Sequence, residues 1–503
     1  MKKLLILIVV MLVIFPVLSV VNAQPAMDPN FKHPPQSAVD SWKDLKYGLR
    51  IHWGLYCMDP DKKAGESWKF SDYKTDPANW ARYQDWYKTF NPVNYDPNAW
   101  LDFMVASGMT FFDFTTKHHE GFSMFNTPNV IKNIVINDPA NPGNGKIVPA
   151  PGPNFHYSIM ETPYGKDVLA MLIKATIKHP APSYAQGIPS FRLGIYYTDI
   201  DWYDADFRFG KRHPLYPGGT DITYTGSSDS AGYRRAHDKY YNELNTICSM
   251  VPAGQLLNIC FDISFPNTDA CNKIIHDGVM RARELQPTAL FRNRCIGSYA
   301  DYDTPERNFA GDRDSSSNWK VIFPLGRNFD YDPEGANYTN KKDDSGNTIT
   351  GSEWIIYHLV SVIARGGLFE IGLGPGPDGT FHPAAMQQVL EAGKWLEKNH
   401  ECIYSTRQCA VTHEQLKEKD DIWFTRTKDN SYKYIIIRAW PGDTLIVKNV
   451  SASPGSKITM LADSKQQPIK WSKTSNGYLQ LTGLTPLKSN DVGLRTWAFK
   501  VPQ

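Results

Sequence analysis

The stretch DPNAWLDFMVASGMTFFDFTT, residues 96–116, decides the fold class. Asp96 suits a helix N-cap, Pro97 the first helical position, and Gly108 the residue just past the end. Directly after it, MTFFDFTT is a near-continuous apolar run that reads as a strand buried on both faces. A helix feeding straight into such a strand is part of a βα unit, and the pattern recurs along the chain. Strand-like runs are GLRIHWGL (48–55), FRLGIYYT (191–198), LLNICFDIS (256–264), ALFRNR (289–294) and LFEIGLG (368–374). Helical periodicity fills 166–179, 231–250, 270–286, 352–367 and 384–399.

Repeated βα units with apolar strands imply a parallel sheet covered by helices. A doubly wound sheet and a closed barrel both fit that rhythm. The length and the long polar insertions after strands favour a (β/α)8-like TIM barrel, an α/β fold. The glycines at 372, 374 and 376 imitate a dinucleotide loop. Prolines stand where amides would cradle phosphate and no helix opens there, so that reading is rejected.

Beyond Thr406 the texture changes to short alternating strands split by turn residues such as Pro441-Gly442-Asp443 and Asn476-Gly477. That predicts a C-terminal antiparallel β-sandwich. The expected organisation is a secretory signal over 1–23, a barrel over 24–405 and the sandwich over 406–503. The leader MKKLLILIVVMLVIFPVLSVVNAQ carries two lysines and an apolar run interrupted by Pro16, with small residues before cleavage near Ala23–Gln24. It predicts a secreted or periplasmic protein, with no membrane association once cleaved.

The formal charge of +2 gives no electrostatic case for a nucleic-acid partner. The 14 Trp, 26 Tyr and 24 Phe suit a protein that stacks rings on sugars, although large cores use aromatics too. Seven cysteines are widely spaced without a CxxC pair, which argues against a zinc site of that type. Cys260 and Cys295 sit in strand-like runs as small hydrophobes, whereas Cys402 and Cys409 are spaced to pair across a short loop.

In a βα-barrel the carboxyl ends of the strands build the active site. Here they carry His52-Trp53-Gly54, then Lys117-His118-His119-Glu120, then Thr198-Asp199 with Asp201-Trp202, then Asp262 and Arg294. The next loop holds Asp301, Asp303, Glu306 and Trp319. No Ser-His-Asp or Cys-His order points to acyl transfer. Carboxylates, imidazoles and indoles at one mouth suit glycoside cleavage, which needs two carboxyls and polar groups to hold a hydroxylated ring. Adjacent histidines on a strand end point opposite ways, so a metal site at His118-His119 is disfavoured.

These residues carry a resemblance. Ile51-His52-Trp53-Gly54-Leu55-Tyr56, Glu66-Ser67-Trp68, Thr115-Thr116-Lys117-His118-His119-Glu120-Gly121-Phe122, Gly194-Ile195-Tyr196-Tyr197, Asn293-Arg294 and GGLFEIGLGPGPDGTFHP resemble glycoside hydrolase family 29, the α-L-fucosidases. The resemblance implies a barrel followed by a β-sandwich, no cofactor and no metal. It also implies exo-acting, retaining removal of terminal α-L-fucose from a fucosylated glycan. Asp262 falls where the family keeps its nucleophile. Glu306, in DYDTPERNF, resembles the stretch that supplies the acid/base in some members, with Asp301 and Asp303 as rivals. His52, Glu66, Trp68, His118, His119, Tyr197, Arg294 and Trp319 are the implied substrate binders.

Two departures stand out. The family has Trp-Glu where this chain has Trp319-Lys320, and asparagines where Leu368 and Gly372 stand, with Glu370 between them. Read as lying near the mouth, these changes leave open another L-sugar such as α-L-galactose, or a carbohydrate-binding relative without activity. Oligomeric state is left open by the sequence.

Overall fold

The computed structural model describes residues 28–59, 65–208, 213–216, 230–263, 265–294, 296–308, 317–416, 422–486 and 494–503. The expected leader and Cys295 lie outside them.

Seven parallel strands curl into one sheet: β1 (Tyr47–Ile51), β2 (Phe111–Lys117), β3 (Arg192–Thr198), β4 (Leu256–Asp262), β5 (Leu290–Phe291), β6 (Lys320–Pro324) and β7 (Leu368–Gly372). Their order is β5-β4-β3-β2-β1-β7-β6. The gap between β5 and β6 is closed by an irregular stave over residues 302–306. Asn293 N–H donates to the Tyr302 carbonyl at 2.6 Å, Lys320 N–H to Asp303 at 3.0 Å, and Arg307 N–H to Ile322 at 3.0 Å. The molecule therefore has the TIM-like architecture expected, with antiparallel sheets on its C-terminal side.

Helices α1 (Pro97–Ala106), α2 (Val168–Thr176), α3 (Ser230–Met250), α4 (Asp269–Leu285), α5 (Gly351–Ala364) and α6 (Pro383–Asn399) alternate with the strands. Their starts obey local chemistry. The Asp96 carboxylate accepts from the amides of Asn98 and Ala99, and Thr350 with Glu353 forms a reciprocal capping box at α5. Among the described residues, no helix is long and apolar enough to cross a membrane.

Strand β6 and the preceding stave lie outside the strand-like runs legible in the sequence. Among the described residues, no α-helix separates β5 from β6, so the βα rhythm breaks there. One consequence is a correction to Trp319. It stands immediately before β6, at the amino-terminal foot of the barrel, where its carbonyl accepts from Leu368 N–H at 3.1 Å. Trp319 is buried there, at the opposite end of the strand from the mouth.

The departures at Lys320 and Leu368 are relocated too. Both begin their strands, and Lys320 projects into the barrel interior. Its ammonium pairs with Asp113, lies 3.0 Å from Glu370 Oε1, and donates to Asn258 Oδ1 at 3.1 Å. Arg50 donates through Nη2 to both Asp113 and Glu370 at 2.9 Å. All four charges are buried, so each needs the others: an unpaired ion here would cost several kcal/mol. The lysine at the start of β6 is thus matched by Glu370 on the adjacent strand.

The C-terminal strands are β8 (Arg407–Glu414), β9 (Ile422–Arg426), β10 (Tyr432–Ile437), β11 (Thr444–Val447), β12 (Thr459–Met460), β13 (Lys470–Lys473), β14 (Leu479–Thr482) and β15 (Trp497–Pro502). They form two sheets, β8-β9-β10-β15-β12 and β11-β14-β13. Strand alternation splits the larger sheet between two cores. Trp423, Tyr434, Ile436 and Ala498 join the barrel core, while Ile422, Phe424, Ile435 and Phe499 face the smaller sheet. Cys402 and Cys409 are both buried free thiols, with no bond between them.

Replacing Lys320 by Met leaves two buried carboxylates sharing the single charge of Arg50. Urea unfolding should show a loss of about 3–5 kcal/mol. Adding Glu370→Gln to that variant should return part of the loss; strict additivity of the two changes would contradict the pairing.

Candidate active site

Asp262 closes β4 at the carboxyl end of the barrel, and its neighbours come from three other strands or their loops. Tyr196 on β3 donates its hydroxyl to Asp262 Oδ2 at 2.6 Å. Arg294 contacts Oδ1 directly, Arg292 Nη1 lies 3.6 Å from the same oxygen, and His119 Nε2 lies 3.7 Å from Oδ2. Burial pushes the Asp262 carboxyl up, but the charges of Arg292 and Arg294 and the hydrogen bond from the Tyr196 hydroxyl outweigh it. Together they hold it far below the usual carboxylate range. It is therefore an ionised carboxylate despite its burial.

Glu306 sits on the irregular stave, its side chain about one-third exposed. It accepts from Arg292 Nη2 at 2.6 Å and lies 3.1 Å from Arg294 Nη2. One guanidinium, that of Arg294, thus touches both carboxylates.

A cavity of about 410 Å³ opens on this pair. Of the sequence-predicted residues it brings together Asp262, Glu306, His52, Glu66, Trp68, His118, His119 and Arg294. The three imidazoles are neutral: burial depresses each, that of His119 to about 4. Their orientation is set from behind. Thr115 Oγ1 is 3.0 Å from His52 Nδ1, Ser67 Oγ is 2.5 Å from His118 Nδ1, and Thr198 Oγ1 is 2.7 Å from His119 Nδ1. Glu66 accepts from Phe329 N–H at 2.9 Å, while burial, with Asp330 nearby, pushes its carboxyl up to about 8. Trp68 is half exposed at the rim, edge-on to His119 and Trp202.

Two expected binders do not reach this cavity. Trp319 lies at the barrel foot. Tyr197 points outward, donating its hydroxyl to Glu243 on α3 at 2.6 Å, and Tyr196 occupies the inward position. Successive side chains on a strand face opposite ways, so the tyrosine pair is resolved by parity. The same alternation would have identified Arg292, two residues before Arg294. The rival carboxylates also lie elsewhere. Asp301 pairs with Arg283 at 2.8 Å and accepts from Phe291 N–H at 2.9 Å, and Asp303 accepts from Asn293 Nδ2 at 3.0 Å.

Asn328, Phe329, Ile322 and Arg307 complete the wall. Phe329 fits because residue 372 is glycine: a Cβ there would lie 2.4 Å from the phenyl ring. Three non-glycine residues with left-handed φ, Glu66 at 47°, Ile263 at 55° and Arg307 at 56°, all line this cavity. Such conformations cost about 1–3 kcal/mol each and persist where the surrounding fold imposes them.

Behind the site, Gly121 has φ of 86°, and a Cβ there would fall 2.0 Å from Asp201 Oδ1. Asp201 is itself paired with Lys132 at 2.5 Å. The adjacent Glu120 is buried with neither carboxyl oxygen hydrogen-bonded to another residue. Burial pushes it from 4.5 up to about 8.

A barrel whose mouth joins an ionised aspartate and a glutamate through two arginines, ringed by neutral imidazoles, has the architecture of a glycoside hydrolase. The family model for Alpha-L-fucosidase matches residues 15–148 and 151–401. The chain belongs to the alpha-L-fucosidase family. It is 23% identical to tissue alpha-L-fucosidase of Mus musculus over 445 residues, covering 84% of this chain and 83% of the relative. With the human (Homo sapiens) tissue alpha-L-fucosidase it shares 23% over 478 residues, 90% of this chain and 87% of the relative.

Among solved structures, alpha-L-fucosidase isoenzyme 1 from Paenibacillus thiaminolyticus aligns with a TM-score of 0.69 at 20% identity, over 93% of this chain and 99% of that one. A trapped covalent intermediate of an alpha-L-fucosidase from Bacteroides thetaiotaomicron, with 2-fluoro-fucosyl fluoride, aligns at 0.66 and 19%, over 94% and 97%. These likenesses establish the fold.

A carboxyl whose folded pKa stands above its unfolded value binds its proton more tightly in the folded chain. Glu120 therefore lowers stability progressively as pH rises from 4.5 to about 8. Glu120→Gln should flatten the pH dependence of the denaturation midpoint across that window. A profile superimposable on the parent's would contradict the buried, unpaired carboxyl.

Proposed function

We propose that this protein is an exo-acting, retaining α-L-fucosidase in which Asp262 is the nucleophile and Glu306 the acid/base. The observation that carries the reading is the shared arginine. A single head group contacting both carboxylates fits the compact spacing of a retaining pair, about 5–5.5 Å, better than the 6.5–9.5 Å gap of an inverting one.

In the first step Asp262 attacks the anomeric carbon while Glu306 gives its proton to the departing glycosidic oxygen. In the second, Glu306 takes a proton from water, which displaces the sugar from Asp262. The pair carries one negative charge throughout: on Asp262 before attack, and on Glu306 once Asp262 is esterified. Arg294 touches both, so one cation serves either state with little rearrangement. The hydroxyl of Tyr196 fixes the attacking carboxylate.

Around the ring, His52, His118 and His119 act as neutral donors or acceptors for sugar hydroxyls, with Glu66 beside them and Trp68 at the rim. The apolar wall of Phe329 and Ile322 favours a methyl-bearing sugar over α-L-galactose, whose extra hydroxyl would lose its water there. The presence of both carboxylates in one cavity counts against a binding-only relative. The leader over 1–23 supports export to the periplasm or cell exterior.

Asp262→Ala should lower hydrolysis of an aryl α-L-fucoside by about 10⁴-fold or more in a protein that remains folded. Near-normal activity would remove Asp262 from the mechanism. Azide should restore turnover to Glu306→Ala on activated aryl glycosides, and its failure would reopen the acid/base assignment. Tyr196→Phe should reduce kcat/KM by about tenfold or more, whereas Tyr197→Phe should mainly reduce stability. Equal kinetic effects at the two positions would contradict the parity.

A further inference from the structure

We propose that the cleft between helix α5 and the C-terminal sheet is a second carbohydrate site, taking a neutral, hydroxyl-rich unit of an oligosaccharide. The cleft encloses about 670 Å³, larger than the catalytic cavity and within the range of small-ligand sites, roughly 300–1,000 Å³. It shares no lining residue with that cavity.

Its walls are aromatic. Trp423 on β9, Trp440 just after β10 and Trp497 at the start of β15 all line it, facing Tyr357 on α5. Trp440 and Trp497 meet edge to face with centroids 5.0 Å apart, and both are only partly buried. Arg365 lies 4.5 Å over the Trp423 ring, and Arg438 lies 3.6 Å over the Tyr357 ring. Arg438 also lies 5.1 Å over the Trp423 ring, so the guanidiniums hold these two rings in place.

The polar groups point to the ligand's chemistry. Among the described residues, the buried indole N–H groups of Trp423 and Trp497 have no hydrogen-bond partner. Trp423 as a residue is only 2% exposed. An unpaired buried donor costs about 1–3 kcal/mol, which an incoming hydroxyl or ring oxygen would recover. Charge in the lining is balanced: Arg365, Arg438 and Arg495 stand against Asp343, Asp344 and Glu353. The Arg495–Glu353 pair closes at 3.0 Å. Balanced charge offers an anion no advantage, whereas indole faces with free N–H donors match a pyranose, which has an apolar face and hydroxyl edges.

The test uses the full-length protein titrated with cellotetraose and with lacto-N-tetraose, both neutral and free of fucose, monitored by tryptophan fluorescence. A saturable change with at least one of them is expected, and it should persist with L-fucose present in excess. Trp440→Ala and Trp497→Ala should each weaken it by about tenfold or more, and Trp497→Phe by less, because stacking survives while the donor is lost. Aryl α-L-fucoside hydrolysis, assayed below the unfolding transition of each variant, should stay at the parent value in all three. Absence of saturable binding by both sugars would overturn the proposal. So would competition by L-fucose, undiminished binding in both alanine variants, or tighter binding of an anionic hyaluronan tetrasaccharide. The alanine variants locate the site whether or not the catalytic pocket takes fucose, because neither tryptophan lines that pocket.

Discussion

Keeping one aspartate ionised inside a protein is the constraint on which this site depends. Burial alone would neutralise Asp262, and the chain answers with two arginines and a tyrosine hydroxyl converging from adjacent staves. Arg292 and Arg294 are two residues apart at the end of β5 and both reach Asp262 and Glu306. Glu306 belongs to the irregular stave that closes the barrel, so closure and chemistry are the same event. If that stave ran as a free loop, the second carboxylate would lose its register with the first.

The same logic extends down the barrel axis. Arg50 lines the cavity and pairs with Asp113 and Glu370, which also hold Lys320. Arg50 and Arg292 both donate to Cys260 Sγ, at 3.2 and 3.3 Å, linking the ionic layer to the arginine beside Asp262. Hydrophobic residues could fill such an interior more cheaply. A charged layer directly under the site gives the cationic groups above it fixed partners, and left-handed residues at 66, 263 and 307 show that local backbone comfort yields to that geometry.

Much of this is legible in the residues. Capping signals and apolar runs mark the βα units, and the strand-end histidines, Asp262 and Glu306 lie where a barrel exposes its chemistry. The features that escape have physical causes. Strand β6 is short and follows an irregular stave, so no periodicity announces it, and Trp319 reads as a mouth residue when it stands at the foot. Tyr196 and Tyr197 are chemically identical neighbours that only the phase of the pleat separates. Asn328 and Phe329 enter from a loop with no local signature, and Phe329 is admitted by a glycine 43 positions later in the chain. Lys320 reads as a change at the mouth because its partners, Asp113 and Glu370, are distant in sequence and adjacent only across strands.

The most direct measurement of the central claim is chemical. The Glu306→Gln variant is incubated with 2-fluoro-fucosyl fluoride, digested, and its peptides are mapped by mass spectrometry. The expected product carries one added 2-fluoro-fucosyl group, held as an ester on Asp262. A label on any other carboxylate, or hydrolysis with inversion at the anomeric carbon, would contradict the assignment.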